Sequence, residues 1–257
     1  MCESFNNIFI VWLQGQKNLD SHEKSKLFNE NIYNWKLLNS NWNVHLIDDD
    51  FIRKTCIMIS DECLQIYDSF NLIHLKIDFG RYIVLYIYGG MYIDIDMFIL
   101  RSIDNLNILE KLNSNFLGLS CLNINTIESM FFCGKKKIIN NAIMISNKNN
   151  YILKKLIIEI IDNYKKNKYR NTNDYSKIQK LTGPKFLNKF IYKNKFEKNI
   201  HLYPHYIFEP APPFGLADIR ESTIAIHLME LSWIQGNLKK LIKFYYCIKS
   251  MQFRKIF

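Results

Sequence analysis

The sequence predicts a single α/β domain in which a Rossmann-like mixed sheet is flanked by helices. Residues 8–13, IFIVWL, and residues 43–47, NVHLI, are short apolar runs rich in β-forming residues. Between them, residues 22–38 carry apolar side chains at roughly helical spacing. Strand, helix, strand is the opening of an α/β sheet, and a chain of 257 residues that is 48% hydrophobic can bury one substantial core.

The later elements continue this pattern. Residues 71–88 are predicted to form a long apolar helix, because the run lacks proline and stops at Gly89-Gly90, where a glycine in the left-handed conformation ends a helix. The next strand is expected around Asp94, and the aspartates at 48–50 are expected to end a strand and cap a helix. Further strands are predicted at 116–122, 141–146, 200–208 and 223–228, and further helices at 150–166 and from Thr182-Gly183-Pro184 onwards.

Charge is unevenly distributed along the chain. Residues 1–104 contain 9 Lys and Arg against 14 Asp and Glu, whereas residues 105–257 contain 25 against 10, a net of +15. Such a basic half is typical of a face that meets an anionic partner, for example phospholipid, phosphorylated glycan or nucleic acid. A solvated lysine-rich surface explains it equally well.

The chain shows no sign of a zinc site or of a membrane span. Its six cysteines form no CxxC pair and have no zinc-like spacing with histidine. No run approaches the roughly 18 apolar residues that cross a bilayer, and the N-terminus has no signal-peptide pattern. These features predict a soluble, cytoplasmic protein.

Two aspartates stand one residue apart in the segment GGMYIDIDMF, residues 89–98. If this segment is a strand, Tyr92, Asp94 and Asp96 point to the same face and the two carboxylates lie about 6–7 Å apart. That spacing suits a hard divalent cation, Mn²⁺ or Mg²⁺, which shares its coordination with substrate phosphates. A DxD sequence alone is a weak signal, because an exposed strand carries it without any ligand.

The preceding helix strengthens the signal. Asp78 and Arg81 lie three residues apart on one face of an otherwise apolar helix. Buried charges are costly unless they are paired or ligated. We therefore expect the charged residues of the helix and of the next strand, joined by the Gly-Gly turn, to converge on one pocket.

Residues 78–98, DFGRYIVLYIYGGMYIDIDMF, resemble the signature of the DXD-containing sugar transferases of glycosyltransferase family 32. This family includes yeast outer-chain mannosyltransferases, capsular polysaccharide enzymes and relatives of the glucosylating large bacterial toxins. Weaker similarity extends to residues 8–15, 34–50 and 225–233. The resemblance implies a GT-A-like fold, a nucleotide-diphospho-sugar donor, a divalent metal and transfer with retention at the anomeric carbon. A UDP-sugar is slightly favoured over a GDP-sugar, by analogy alone.

The resemblance also implies roles for residues that bind the nucleotide. Trp12 would stack on the base, Tyr92 and Asp94 would contact the nucleoside, and Ser232-Trp233 would belong to a loop that covers the donor. Without the resemblance, Trp12 beside an apolar strand is typical of a core residue.

The remaining roles concern the metal and the sugar. Asp96 would ligate the metal directly, with Asp94 and His227 completing its shell, and Asp78 and Arg81 would hold the donor sugar and its diphosphate. The family often has an aliphatic residue where this chain has Phe79-Gly80, so a local kink is expected there. Without the resemblance, a histidine such as His227 is typical of a structural residue.

The predicted chemistry is charge stabilisation of a departing diphosphate by a metal at Asp96 and by Arg81. We expect front-face attack by a hydroxyl of a glycan, protein or lipid-linked acceptor. Residues 1–236 are predicted to form one catalytic domain, with a nucleotide-sugar part at 8–118 and an acceptor part at 119–236. Residues 237–257 are predicted to form a basic amphipathic helix, which docks on the domain or makes a peripheral contact with an anionic membrane.

Two other functions stay open at this level. A metal-dependent nuclease or phosphodiesterase would use the same aspartates, but it needs further acidic ligands around two metals and the sequence offers no clear third, so a nucleic-acid partner is not expected. A non-catalytic module of the same fold would bind membranes through residues 237–257.

Overall fold

The computed structural model describes residues 6–108, 116–123, 137–166, 175–210 and 218–227. The strands are β1 (Asn7–Val11), β2 (Asn43–Ile47), β3 (Gly90–Ile93), β4 (Met97–Ile99), β5 (Leu117–Asn123), β6 (Lys137–Ser146), β7 (His201–Leu202) and β8 (Ala225–His227). The helices are α1 (Gly15–Ser21), α2 (Ser25–Leu38), α3 (Asp49–Ile57), α4 (Asp61–Ser69), α5 (Ile73–Tyr88), α6 (Tyr151–Lys165), α7 (Tyr175–Leu181), α8 (Pro184–Lys193) and α9 (His205–Phe208), with a 3₁₀ turn at Ile103–Leu106.

Six strands form a mixed sheet in the order β2-β1-β3-β6-β5-β7, and β4 pairs with β8 in a separate two-stranded sheet. Strand β1 runs parallel to β2 and β3, whereas β6 is antiparallel to β3 and β5. Alternate residues of β1 enter two different cores, Ile8 and Ile10 on one side and Phe9 and Val11 on the other. The sheet is therefore covered on both faces, which explains the unbroken apolar sequence of β1. The predicted α/β fold is confirmed.

The three parallel strands bring their carboxyl ends to one edge of the sheet. Trp12 follows β1, Asp48 follows β2 and Asp94 follows β3. Asp48 caps α3, as expected, because its carboxylate accepts a hydrogen bond of 2.9 Å from the backbone N–H of Phe51. Sequence positions that are far apart thus meet at this edge.

The Gly-Gly turn and Gly80 have different structural roles. Gly89 and Gly90 have φ angles of 68° and 94°, so α5 ends at glycines in the left-handed region, as predicted. At Gly80 the helix continues without interruption from Ile73 to Tyr88. A Cβ at Gly80 would lie 2.8 Å from Cδ1 of Ile52, so glycine allows α3 to pack closely on α5.

Two predicted strands are wrong in extent. The strand predicted at 200–208 is limited to β7, because Pro204 has no backbone N–H to donate and the chain turns into α9. The strand expected around Asp94 ends at Ile93, and Asp94 to Asp96 form a turn.

Some predicted features lie outside the described residues. These are Ser232-Trp233, the end of the strand predicted at 223–228 and the amphipathic helix at 237–257. Within the ranges that the structure describes, no helix combines the length and the apolar character that crossing a bilayer requires. The division into donor and acceptor parts stays a prediction.

Candidate active site

The DxD segment forms the turn between β3 and β4. The backbone N–H of Asp94 donates to the carbonyl of Ala142 on β6 (2.8 Å), and the N–H of Met97 donates to the carbonyl of Asp94 (3.0 Å). Strand β4 then pairs with β8 so that Met97 lies opposite His227. This pairing, rather than the strand geometry expected from the sequence, brings the second aspartate next to the histidine.

Asp94, Asp96 and His227 form a group that can hold a metal ion. One ligand atom from each lies within 4.8 Å of the others, and Nε2 of His227 is 3.4 Å from Oδ1 of Asp96. Each side chain is partly exposed, between 13% and 25%. Two carboxylates and an imidazole are a donor set that fits a divalent cation with open positions for substrate oxygens.

The charge state of His227 depends on these neighbours. Burial alone lowers the pKa of His227, but the attraction of Asp96 and hydrogen bonds to Asp96 and Glu209 outweigh it and raise this pKa well above its usual value. Without a cation, the imidazole is therefore stabilised in its protonated form. A bound cation would take over that balancing charge.

Arg81 links helix α5 to the DxD turn. Its guanidinium is 3.2 Å from Oδ1 of Asp78 and 3.2 Å from Oδ1 of Asp94, and it donates a 2.6 Å hydrogen bond to the carbonyl of Asn141. The guanidinium also lies over the ring of Tyr92, 4.4 Å from its centroid. The hydroxyl of Tyr92 donates to Oδ1 of Asp94 (2.5 Å). Four of the residues predicted for the site thus form one connected network.

Asp78 is buried and its carboxylate is held from several sides. Asn141 donates to Oδ1 (2.9 Å) and the hydroxyl of Thr182 donates to Oδ2 (3.1 Å). Burial raises the pKa of Asp78, and Arg81 together with these hydrogen bonds opposes the rise. Burial likewise raises the pKa of Asp94, again opposed by Arg81. The arginine is the main compensating charge for both carboxylates.

The DxD turn is also fastened from helix α2. The side-chain amide of Asn31 donates to the carbonyls of Ile95 (3.0 Å) and Met97 (2.9 Å). The indole N–H of Trp35 donates to the same carbonyl of Met97 (2.8 Å). Helix α2 therefore fixes the backbone that presents Asp96.

Trp12 lies at the same sheet edge and is partly exposed. Its indole N–H donates to Oδ1 of Asn18 (3.2 Å), and its ring meets His22 edge-on at 5.2 Å and Phe28 at 5.9 Å. The residue is neither a fully buried core side chain nor a free platform. Base stacking by Trp12 stays a prediction.

Sequence reasoning missed several residues of this site, which are Asn31, Asn140, Asn141, Thr182 and Glu209. One signal was available, because Asn140-Asn141 interrupts the apolar strand KIINNAIMIS with two adjacent polar residues. Neighbouring strand residues point to opposite faces, so such a pair places an amide on each side of the sheet. For Glu209, next to a proline-rich stretch, the sequence holds no comparable signal.

Comparison with known proteins gives a family match for the part of the chain that contains the DxD segment. Residues 25–113 match the family model described as a glycosyltransferase sugar-binding region containing a DXD motif. Residues 25–113 of this chain are thus similar to that sugar-binding region. This region includes Asp78, Arg81, Asp94 and Asp96 and excludes Trp12. The family resemblance drawn from the sequence is confirmed.

The chain is similar to two curated relatives. The chain is 28% identical over 197 residues to the uncharacterized glycosyltransferase L373 of Acanthamoeba polyphaga mimivirus, which covers 76% of this chain and 66% of that protein. It is 43% identical over 58 residues to the putative glycosyltransferase HOC1 of Saccharomyces cerevisiae, 23% of this chain and 14% of that protein. The chain thus spans slightly under two thirds of one relative and a small part of the other.

A solved structure supports the fold. The PaToxG glycosyltransferase superposes with a TM-score of 0.52 at 17% sequence identity, covering 76% of this chain and 72% of that one. The fold of the DXD region and its surroundings is that of a GT-A glycosyltransferase domain.

Proposed function

We propose that this protein is a metal-dependent glycosyltransferase that moves a hexose from a nucleotide-diphospho-sugar to an acceptor hydroxyl, with retention at the anomeric carbon. The observation that carries the proposal is the convergence of Asp94, Asp96 and His227 on one point, with the buried cation of Arg81 directly behind Asp94. A UDP-sugar is the favoured donor, and the acceptor hydroxyl belongs to a glycan, a protein or a lipid-linked molecule.

Asp96, Asp94 and His227 would hold the cation. Carboxylates suit Mg²⁺ and Mn²⁺, and Mn²⁺ accepts an imidazole nitrogen more readily, so Mn²⁺ is the favoured ion. A divalent cation bound there supplies positive charge that stabilises the diphosphate as it departs.

The transfer itself breaks one bond and forms another. The bond between the anomeric carbon and the diphosphate oxygen breaks, and its electron pair leaves with the diphosphate. The acceptor oxygen bonds to the same carbon from the same face, and its proton passes to a diphosphate oxygen. The protein's part is to hold positive charge at fixed positions near the diphosphate, on which negative charge develops as the bond breaks.

Arg81 and Asp78 would take part in binding the donor. Arg81 keeps positive charge within 3.2 Å of Asp94, and its Nε–H has no hydrogen-bond partner among the described residues. A buried polar group without a partner costs about 1–3 kcal/mol, a cost that an oxygen of the bound donor would remove. Among the hydrogen bonds described above, Oδ2 of Asp78 accepts one, from the hydroxyl of Thr182. A second lone pair of this oxygen is left for a sugar hydroxyl.

The test is a thermal-shift panel of UDP, GDP and their sugars, each with and without Mn²⁺. A ligand that binds only the folded state raises the melting temperature in proportion to its affinity. We expect a Mn²⁺-dependent rise with UDP, its loss in Asp96→Asn, and loss of donor hydrolysis and transfer in the same variant. Asp162→Asn removes an exposed acid on α6 and is the matched control.

Unchanged turnover of Asp96→Asn at saturating Mn²⁺ would remove this residue from the mechanism. A response to no nucleotide together with steep salt-dependent binding to DNA would favour the nuclease alternative. That alternative requires two metals, and in the part of the chain that the structure describes Asp94, Asp96 and His227 form the one group of three such ligands.

A further inference from the structure

Glu209 is a buried carboxylate that contacts Nδ1 of His227. It is 1% exposed and follows helix α9. Oε1 accepts hydrogen bonds from Oγ of Ser120 (2.8 Å) and Nδ2 of Asn140 (2.6 Å), and Oε2 lies 3.3 Å from Nδ1 of His227. A buried carboxylate is costly unless hydrogen bonds or charge compensate it, and three groups converge to do so here.

The direction of these hydrogen bonds is fixed by the backbone. The N–H of Asn141 donates to the side chain of Asn140 (2.8 Å), and because a backbone N–H can only donate, the acceptor must be the amide oxygen. The Nδ2 group of Asn140 therefore faces Glu209 as a donor. With Oε1 occupied, Oε2 accepts from the protonated Nδ1 of His227, and Nε2 is directed toward Asp96.

A register shift between β5 and β6 places the donors. The pairing of β5 with β6 shifts from Leu119 opposite Met144 to Ser120 opposite Asn140. This shift sets Ser120 and Asn140 side by side so that both reach Glu209. It also leaves the carbonyl of Asn141 to accept from Arg81. Irregular strand pairing beside an active site, as at a β-bulge, commonly redirects side chains in this way.

We propose that Glu209 is the positioning residue for His227: it holds the ring with Nδ1 protonated, so that Nε2 is available to the divalent cation. This rests on the proposed function, in which His227 is a metal ligand. Histidines that bind metals usually donate their second N–H to a carboxylate or carbonyl, and losing that partner typically weakens metal affinity about 10- to 100-fold.

Glu209→Gln is the informative variant. The carboxamide keeps one oxygen for Ser120 and Asn140, but it turns an NH₂ group toward Nδ1. That group can only donate, so it favours the tautomer with the proton on Nε2, which cannot bind a cation. We expect the affinity for Mn²⁺ alone, measured from the electron paramagnetic resonance signal of the free ion, to fall about 10- to 100-fold.

Three further variants separate positioning from general damage. Glu209→Asp keeps a carboxylate for Ser120 and Asn140, but its side chain is one methylene too short to reach Nδ1 of His227. This variant should therefore also weaken Mn²⁺ binding. Glu221→Gln makes the same chemical change at an exposed position and should leave the affinity unchanged. The double variant Glu209→Gln/His227→Ala should bind no more weakly than His227→Ala alone, because Glu209 acts through the ring.

The outcomes distinguish this proposal from the proposed function. Wild-type protein that fails to bind Mn²⁺ overturns both. Weakened binding in His227→Ala with wild-type affinity in both Glu209 variants overturns the role of Glu209 alone. Additive losses in the double variant also overturn it, because they would mean that Glu209 acts independently of the histidine.

Discussion

Replacing Arg81 with methionine tests whether the buried charge network is the main electrostatic support of the site. The two ion pairs of Arg81 each span 3.2 Å, and its side chain is 6% exposed. At an effective dielectric of about 20, each pair contributes roughly 5 kcal/mol of Coulomb attraction before desolvation is counted. Removing one partner of a buried pair typically costs about 3–5 kcal/mol, and we expect a loss of that size in the free energy of unfolding near pH 8.

The loss should shrink at lower pH. Arg81 opposes the rise in the pKa values of Asp78 and Asp94, so its removal raises both further. A carboxyl with a raised folded pKa binds more protons in the native state, so stability falls as pH rises. The deficit of the methionine variant relative to wild type should therefore be larger at about pH 8 than at about pH 5.

The assay is urea unfolding followed by tryptophan fluorescence at both pH values. Arg81→Lys is the matched control, because it keeps the charge but loses the planar fork, and its deficit should depend much less on pH. A methionine variant within about 1 kcal/mol of wild type, or one with the same deficit at both pH values, would show that the network does not depend on this charge.

Two further predictions concern the DxD turn and the histidine. Asn31→Leu keeps the branching at Cγ but removes both hydrogen bonds to the turn. We expect a loss of about 1–3 kcal/mol in the free energy of unfolding and weaker Mn²⁺ binding, and wild-type values for both would contradict the role of α2. The pKa of His227 in the folded protein lies well above its ordinary value of 6.5. The contribution of His227 to the stability of the metal-free protein is therefore fully present below pH 6.5 and is lost as the pH rises through the folded pKa. Urea unfolding across this range should show that fall, and an equally steep fall in His227→Ala would assign it to other groups.

The sequence predicted the part of the fold that depends on local patterns. The apolar runs of β1 and β2, the long helix α5 and its glycine end were all recognisable, because periodicity and glycine conformation act over a few residues. The strand predicted at 200–208 was wrong because apolar β-forming residues outweighed the missing N–H of Pro204 in the interpretation.

The candidate site was predictable in its charged residues and not in its scaffold. Asp78, Arg81 and the two aspartates stood out because charges are rare in apolar segments. The residues that hold these charges in place did not stand out. The contact of Glu209 with β5 and β6, for example, depends on a register shift that no local pattern encodes. The DxD turn itself replaced a predicted strand and still brought its carboxylates together, through long-range pairing rather than through strand periodicity.

The pairing of β4 with β8 has a consequence for how the protein matures. Asp94 and Asp96 are synthesised long before His227, which reaches them only when β8 docks against β4. Contacts between distant parts of a chain form late, because closing a long loop costs entropy. We therefore expect a nascent chain to carry two carboxylates without their imidazole, so that tight capture of a cation coincides with completion of the fold.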